Sequence, residues 1–130
     1  MPDIGRGVMC AVLACGVGAG AVEAADPVHG KVIFEACAAC HTLYDDEAGD
    51  ALGPTLDGVL GRTAGTRDDF RYSPVMRRSG IVWTLETLNA FITDPTRYVR
   101  GSRMSFDGVP DEGDRADVMA YLAEVLTVDP

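Results

Sequence analysis

The chain has 130 residues, 47% of them apolar and 24% charged, which is one domain's worth of soluble globular protein with a core thin enough for a large apolar cofactor to supply part of it. Asp and Glu number 20 against 11 Lys and Arg, for a formal net charge of −9. That balance argues against nucleic acid and against anionic membrane surfaces as partners.

Residues 1–24 read as an export signal. Arg6 gives a weak positive start, partly offset by Asp3, and "GVMCAVLACGVGAGAV" runs uncharged from Gly7 to Val22. Val22-Glu23-Ala24 resembles a small-residue cleavage site, with the cut before Ala25. The apolar run is short and Gly-rich for a spanning helix, and Glu23 closes it. A retained anchor is the second reading, and lipidation at "VLAC" (Val12 to Cys15) a minor one. Cleavage removes Cys10 and Cys15 and leaves residues 25–130 as a single domain of formal charge about −8, with no stable membrane insertion.

The first predicted helix is capped by Asp26, has Pro27 at its first position, and runs to about Ala39. An acidic surface loop, "YDDEAGDALGP", follows, then a Gly-rich segment. A short helical turn is expected from Pro74 to Arg78. "TLETLNAFI" predicts a helix begun by Thr84 and stopped before Asp94-Pro95, with another short turn at Pro95 to Val99. The last helix is predicted from about Asp114 to Leu126, where Val118, Tyr121, Leu122, Val125 and Leu126 recur at helical spacing. No strand, repeat or interdomain linker is expected, so the fold class is all-α.

The chemistry concentrates in "EACAACHTL", residues 35 to 43. A zinc site would want further cysteines or histidines downstream, and none follows His41; His29 is the other histidine in the chain. A redox disulfide would sit between a strand and a helix, and no β-rich run precedes Cys37. Cys37-x-x-Cys40-His41 has the spacing that attaches c-type haem: each thiol adds across a vinyl group from one helical turn, and the adjacent histidine meets the iron. A sixth ligand would come from Met76, Met104 or Met119. Met119 reads as helix packing and Met76 as core or cofactor wall. Met104 lies in the loop "YVRGSRMSFDGVP", whose freedom suits a ligand reaching the face opposite His41. His29 sits on the helix leading into the motif and reads as an ordinary near-surface residue, so bis-histidine ligation is not expected.

Taken in order, "GKVIFEACAACHTL", "LGPTLDGVLGRTAG", "YSPVMRRSGIVWTLETLNAFITDPTRYV", "GSRMSFDG" and "DVMAYL" resemble a class I c-type cytochrome over nearly the whole mature chain, Asp26 to Leu126. The resemblance implies one haem c bound through Cys37 and Cys40, with His41 and Met104 as iron ligands. It implies that the His41 ring donates to the Pro54 carbonyl, and that Arg62, Tyr72 and Trp83 bond to or lie near a buried haem propionate. It also implies crossing N- and C-terminal helices, with Gly30, Phe34 and Tyr121 where they meet, and short helices and loops round the haem.

Two departures stand out. Phe91 occupies a position where the family commonly has tyrosine near the methionine sulfur. The lysine ring used for docking is nearly absent: Lys31 is the sole lysine, while Arg97, Arg100 and Arg103 mix with Asp107, Asp111, Glu112 and Asp114 near the expected haem edge. The expected function is that of a periplasmic, monomeric electron carrier of a respiratory chain, not an enzyme. Its expected redox partners are a quinol-oxidising complex or dehydrogenase on one side and a terminal oxidase or other acceptor on the other. A small-ligand sensor or peroxidase-like haem enzyme with a displaceable Met104 is the alternative.

Overall fold

The computed structural model describes residues 23–47 and 49–126; all of the expected export signal, residues 1–24, except Glu23 and Ala24 lies outside them. The described residues form five helices: α1 (Pro27–Ala38), α2 (Pro74–Arg78), α3 (Leu85–Thr93), α4 (Pro95–Tyr98) and α5 (Glu112–Leu126). A 3-10 turn over Asp45–Glu47 interrupts the acidic loop.

Local chemistry sets most of the boundaries. The Asp26 carboxylate accepts from the Val28 and His29 amides, and Pro27 fills the first turn of α1. Such a cap contributes about 1 kcal/mol. Ser73 caps α2 through the Met76 amide, again with proline just inside the start. Thr84 and Thr87 form a reciprocal capping pair on α3, and Asp94 caps α4. α5 begins two residues earlier than its apolar periodicity predicts. The Asp111 carboxylate accepts from the Asp114 amide 2.9 Å away, which is the cap-to-third-residue pattern of a helix starting at Glu112.

The molecule is organised on the crossing of α1 and α5. Gly30 makes the close approach possible: a Cβ there would overlap the Asp117 carbonyl. Phe34 is buried beside it, its ring 5.4 Å from that of Tyr121, and Val118, Met119 and Leu122 complete the inner face of α5. Burying a side chain the size of Phe34 stabilises the fold by about 1.5–3 kcal/mol. α3 packs on α5 and on α4, contributing Leu88, Phe91 and Ile92 to the core. One isolated antiparallel bridge, Thr63 to Val82, is present among the described residues. The described residues are otherwise helix and loop, as the patterning predicts.

Candidate haem-attachment site

The last turn of α1 delivers Cys37, and the chain leaves the helix through Cys40 and His41. Both thiols are free and half-buried, and burial pushes the Cys37 thiol above its ordinary pKa. The His41 and Cys40 amides both donate back to the Cys37 carbonyl, at 2.9 and 3.0 Å. This turn fixes where the two sulfurs stand relative to the imidazole.

A second strand of loop, residues 53–56, lies along this turn and is bonded to it at successive rungs. The Gly53 amide donates to the Cys40 carbonyl at 2.8 Å and the Leu56 amide to the Thr42 carbonyl at 2.9 Å. The Thr42 and Thr55 hydroxyls share a hydrogen bond of 3.0 Å, and Thr55 is buried. Between these rungs the His41 Nδ1–H donates to the Pro54 carbonyl at 2.7 Å. A carbonyl can only accept, so the tautomer is fixed with the proton on Nδ1 and the lone pair on Nε2. Burial depresses the His41 pKa, opposed in part by the Pro54 bond, which keeps the ring neutral and able to ligate near neutral pH.

Gly53 is a residue that sequence reasoning did not single out. A Cβ on it would stand 2.5, 2.7 and 2.9 Å from His41 Cε1, Nδ1 and Nε2. Near-equal approach to three ring atoms means that the Gly53 backbone lies against the flat of the imidazole. With one edge bonded to Pro54 and one face against Gly53, the ring has little freedom to turn.

On the other flank, the Thr63–Val82 bridge pairs Arg62 with Trp83: the Trp83 amide donates to the Arg62 carbonyl at 2.9 Å, and the Gly61 amide to the Trp83 carbonyl at 2.7 Å. Trp83 is buried, its ring 5.1 Å from that of Phe91. The Arg62 guanidinium donates to the Asp57 carbonyl at 2.7 Å. Burial lowers its pKa and raises that of the half-buried Tyr72 phenol, which the positive charges of Arg62 and Arg67 pull back. Arg62 thus lies beside Trp83 through the backbone and close enough to Tyr72 for its charge to act on the phenol.

Arg67 is a second residue that reading missed. Its guanidinium bonds Asp69 through two nitrogens at 2.8 and 2.6 Å, and Asp45 at 2.7 Å. It ties the acidic loop to the segment that carries Tyr72. No local pattern announces this hub, because Asp45 lies 22 residues away.

Met76 and Met119 are buried in the core. Met104 lies in the loop between α4 and α5, partly buried against the same cluster, with its amide donating to the Ser102 hydroxyl at 3.2 Å.

Two free thiols one helical turn apart, a histidine with an unprotonated ring nitrogen beside them, and a thioether on a loop against the same apolar cluster define a small all-α protein built to hold a covalently tethered metal porphyrin. The donor set fits haem: thiols for two vinyl groups, imidazole and thioether for iron. The family model for cytochrome c matches residues 27–125. The chain is 41% identical over 101 residues to a cytochrome c2 of Rhodoblastus acidophilus, covering 78% of this chain and 94% of that protein. It is 41% identical over 104 residues to a cytochrome c2 of Rhodopila globiformis, covering 79% and 96%. It is 36% identical over 125 residues to cytochrome c-554 of Methylosinus trichosporium, covering 95% and 94%. The chain belongs to the cytochrome c family, and so carries haem c attached covalently through Cys37 and Cys40 as an electron-transfer protein.

Proposed function

We propose that the protein is an exported one-electron carrier in which His41 and Met104 would both hold the haem iron, leaving no place on the metal for a substrate. The haem, when bound, supplies reversible exchange between iron(II) and iron(III). The observation that carries this reading is the His41–Pro54 bond of 2.7 Å, which leaves Nε2 as the ring's donor atom and raises its basicity. Pro54 holds the ligand's tautomer, Gly53 its plane, and the helical turn of Cys37 to Cys40 the attachment points. Arg62, Tyr72 and Trp83 provide guanidinium, phenol and indole donors for a propionate that would otherwise be buried without partners.

Residues 1–24 are proposed as a cleaved export signal and residues 25–130 as the mature, monomeric domain, working in the periplasm within a respiratory chain. No described helix is long and apolar enough to cross a membrane. The donor is proposed to be a quinol-oxidising complex or a periplasmic dehydrogenase, and the acceptor a terminal oxidase. Arg97, Arg100 and Arg103 are exposed on and after α4 and offer positive charge for transient docking where the family uses lysines.

Stopped-flow mixing of the holoprotein with a quinol:cytochrome c oxidoreductase, then with a terminal oxidase, tests this role. Rapid reduction by the first and oxidation by the second, both slowed by added salt, are expected. Failure of either exchange, together with ready binding of carbon monoxide to the ferrous protein, would instead support a ligand sensor or peroxidase-like enzyme.

A further inference from the structure

At the α1–α5 crossing, away from the haem-attachment turn, three side chains from the two helices converge. Asp114 and Asp117 stand three apart on α5 and so share a face, and His29 meets them from the first turns of α1. The His29 Nδ1 is 2.8 Å from Asp117 Oδ2 and 4.0 Å from Asp114 Oδ1, and the three ligand-type atoms lie within 4.8 Å of one another. We propose that His29, Asp114 and Asp117 form a binding site for a divalent first-row transition-metal ion, which would staple α1 to α5.

The geometry suits such an ion. Tetrahedral bonds of about 2.1 Å place neighbouring ligand atoms about 3.4 Å apart. The two spacings to Nδ1 lie on either side of that value, each about 0.6 Å off, and the two carboxylate oxygens, within 4.8 Å of each other, would close by up to about 1.4 Å. Asp117 already has the orientation a ligand needs, because its other oxygen, Oδ1, accepts from the Asp26 amide at 2.6 Å. That bond holds the carboxylate plane and leaves Oδ2 turned to His29, as an outer-shell partner does for a ligating carboxylate. Asp114 is anchored through its own amide, which donates to Asp111. Both helices are held by the Gly30 contact and the Phe34–Tyr121 pair, so the ligands stand on rigid elements. A hollow of about 390 Å³, lined by Asp26, His29, Asp114 and Asp117 among others, leaves room for water in the remaining positions. An imidazole with two carboxylates suits zinc, cobalt, nickel or copper, whereas magnesium and calcium favour oxygen throughout. His29, Asp114 and Asp117 all lie beyond the proposed cleavage point, so the mature chain keeps them, whereas Glu23 and Ala24, which also line the hollow, leave with the signal and open it further to water.

The test is calorimetric titration of the chelator-washed holoprotein with zinc chloride near neutral pH, alongside His29→Asn, Asp114→Asn and Glu112→Gln. His29 and Asp114 are about half exposed, at 50% and 44%, so neither substitution disturbs the core. The expected result is one saturable zinc per chain, bound at least tenfold more weakly by His29→Asn and by Asp114→Asn. Glu112→Gln removes a neighbouring negative charge without removing a ligand and should change affinity by less than twofold. The thermal midpoint of the parent protein should rise with zinc concentration, and that of His29→Asn should not. Absence of saturable binding would overturn the proposal. So would weakening in only one of the two ligand variants, or an equal loss in Glu112→Gln, which would mark a diffuse response to charge.

Discussion

The Nδ1–H of His41 donates to the carbonyl of Pro54 across 2.7 Å, and the residue before that proline lies flat against the imidazole ring. One short loop therefore controls both the ring's tautomer and its rotation. The loop is itself pinned at Cys40, Thr42 and Thr55, so it presents the carbonyl from a fixed frame.

Gly53→Ala follows directly. Its Cβ would press on three ring atoms, turning the imidazole and stretching the Pro54 bond. A weaker bond makes the ring a poorer donor to iron(III), so the reduction potential should rise. Where the ferric state loses about 1 kcal/mol more than the ferrous state, the rise is about 40 mV for one electron. Redox titration measures the rise, and electron paramagnetic resonance of the ferric form should show altered g-values from the turned ring. An unchanged spectrum would mean that Gly53 does not set the ring plane.

Phe91 lies in the core, 5.1 Å from the Trp83 ring and 6.0 Å from that of Tyr98. In the proposed arrangement it leaves the Met104 sulfur without a phenolic donor. Its lone pairs stay free for iron(III), which favours the oxidised state. Phe91→Tyr should therefore raise the potential and loosen the methionine bond in the ferric protein. A fall, or no change, in the titrated potential would contradict this.

Gly30 tests the helix crossing. Any side chain there meets the Asp117 backbone, and backbone cannot swing aside as a flexible side chain can. Gly30→Val should cost about 3 kcal/mol through overpacking and lower the thermal midpoint by on the order of 10 °C. Circular dichroism during heating provides the measurement.

The Arg67 hub has a pH signature. The hydrogen bond from Arg67, helped by its charge, holds the Asp69 carboxyl below its ordinary value of 3.8. A depressed folded-state pKa contributes stability that is present above the unfolded value and lost as pH falls through the folded one. Asp69→Asn should thus lower the urea midpoint at about pH 6, and the gap to the parent protein should close by about pH 2. Asp69 is exposed, so the gap at about pH 6 should be small. Urea titrations at both pH values check it.

Helix starts were legible because their signals are local: Asp26-Pro27, Ser73-Pro74, Thr84 and Asp94-Pro95 each carry cap and first turn within a few residues. Apolar periodicity puts the start of α5 late because it marks where packing begins, whereas Asp111 marks where hydrogen bonding begins. Cys37, Cys40 and His41 declared themselves by spacing, and Gly30 and Phe34 by family position. The Gly53 contact, the Arg67 hub and the pairing of His29 with Asp117 were not legible. Each joins residues whose proximity depends on how the loops and helices close, and His29 and Asp117 are 88 residues apart. His29, expected as an unremarkable surface residue, is exposed yet bonded across the crossing.

The most direct test of the proposed ligand pair is the visible and near-infrared absorption spectrum of the ferric holoprotein beside that of Met104→Leu. A weak far-red band, which accompanies methionine sulfur on ferric haem, should be present in the parent protein. In Met104→Leu it should vanish and give way to a high-spin spectrum, with His41 and the covalent attachment intact. A band absent from the parent protein, or one that survives in Met104→Leu, would contradict the assignment of Met104 as the partner of His41.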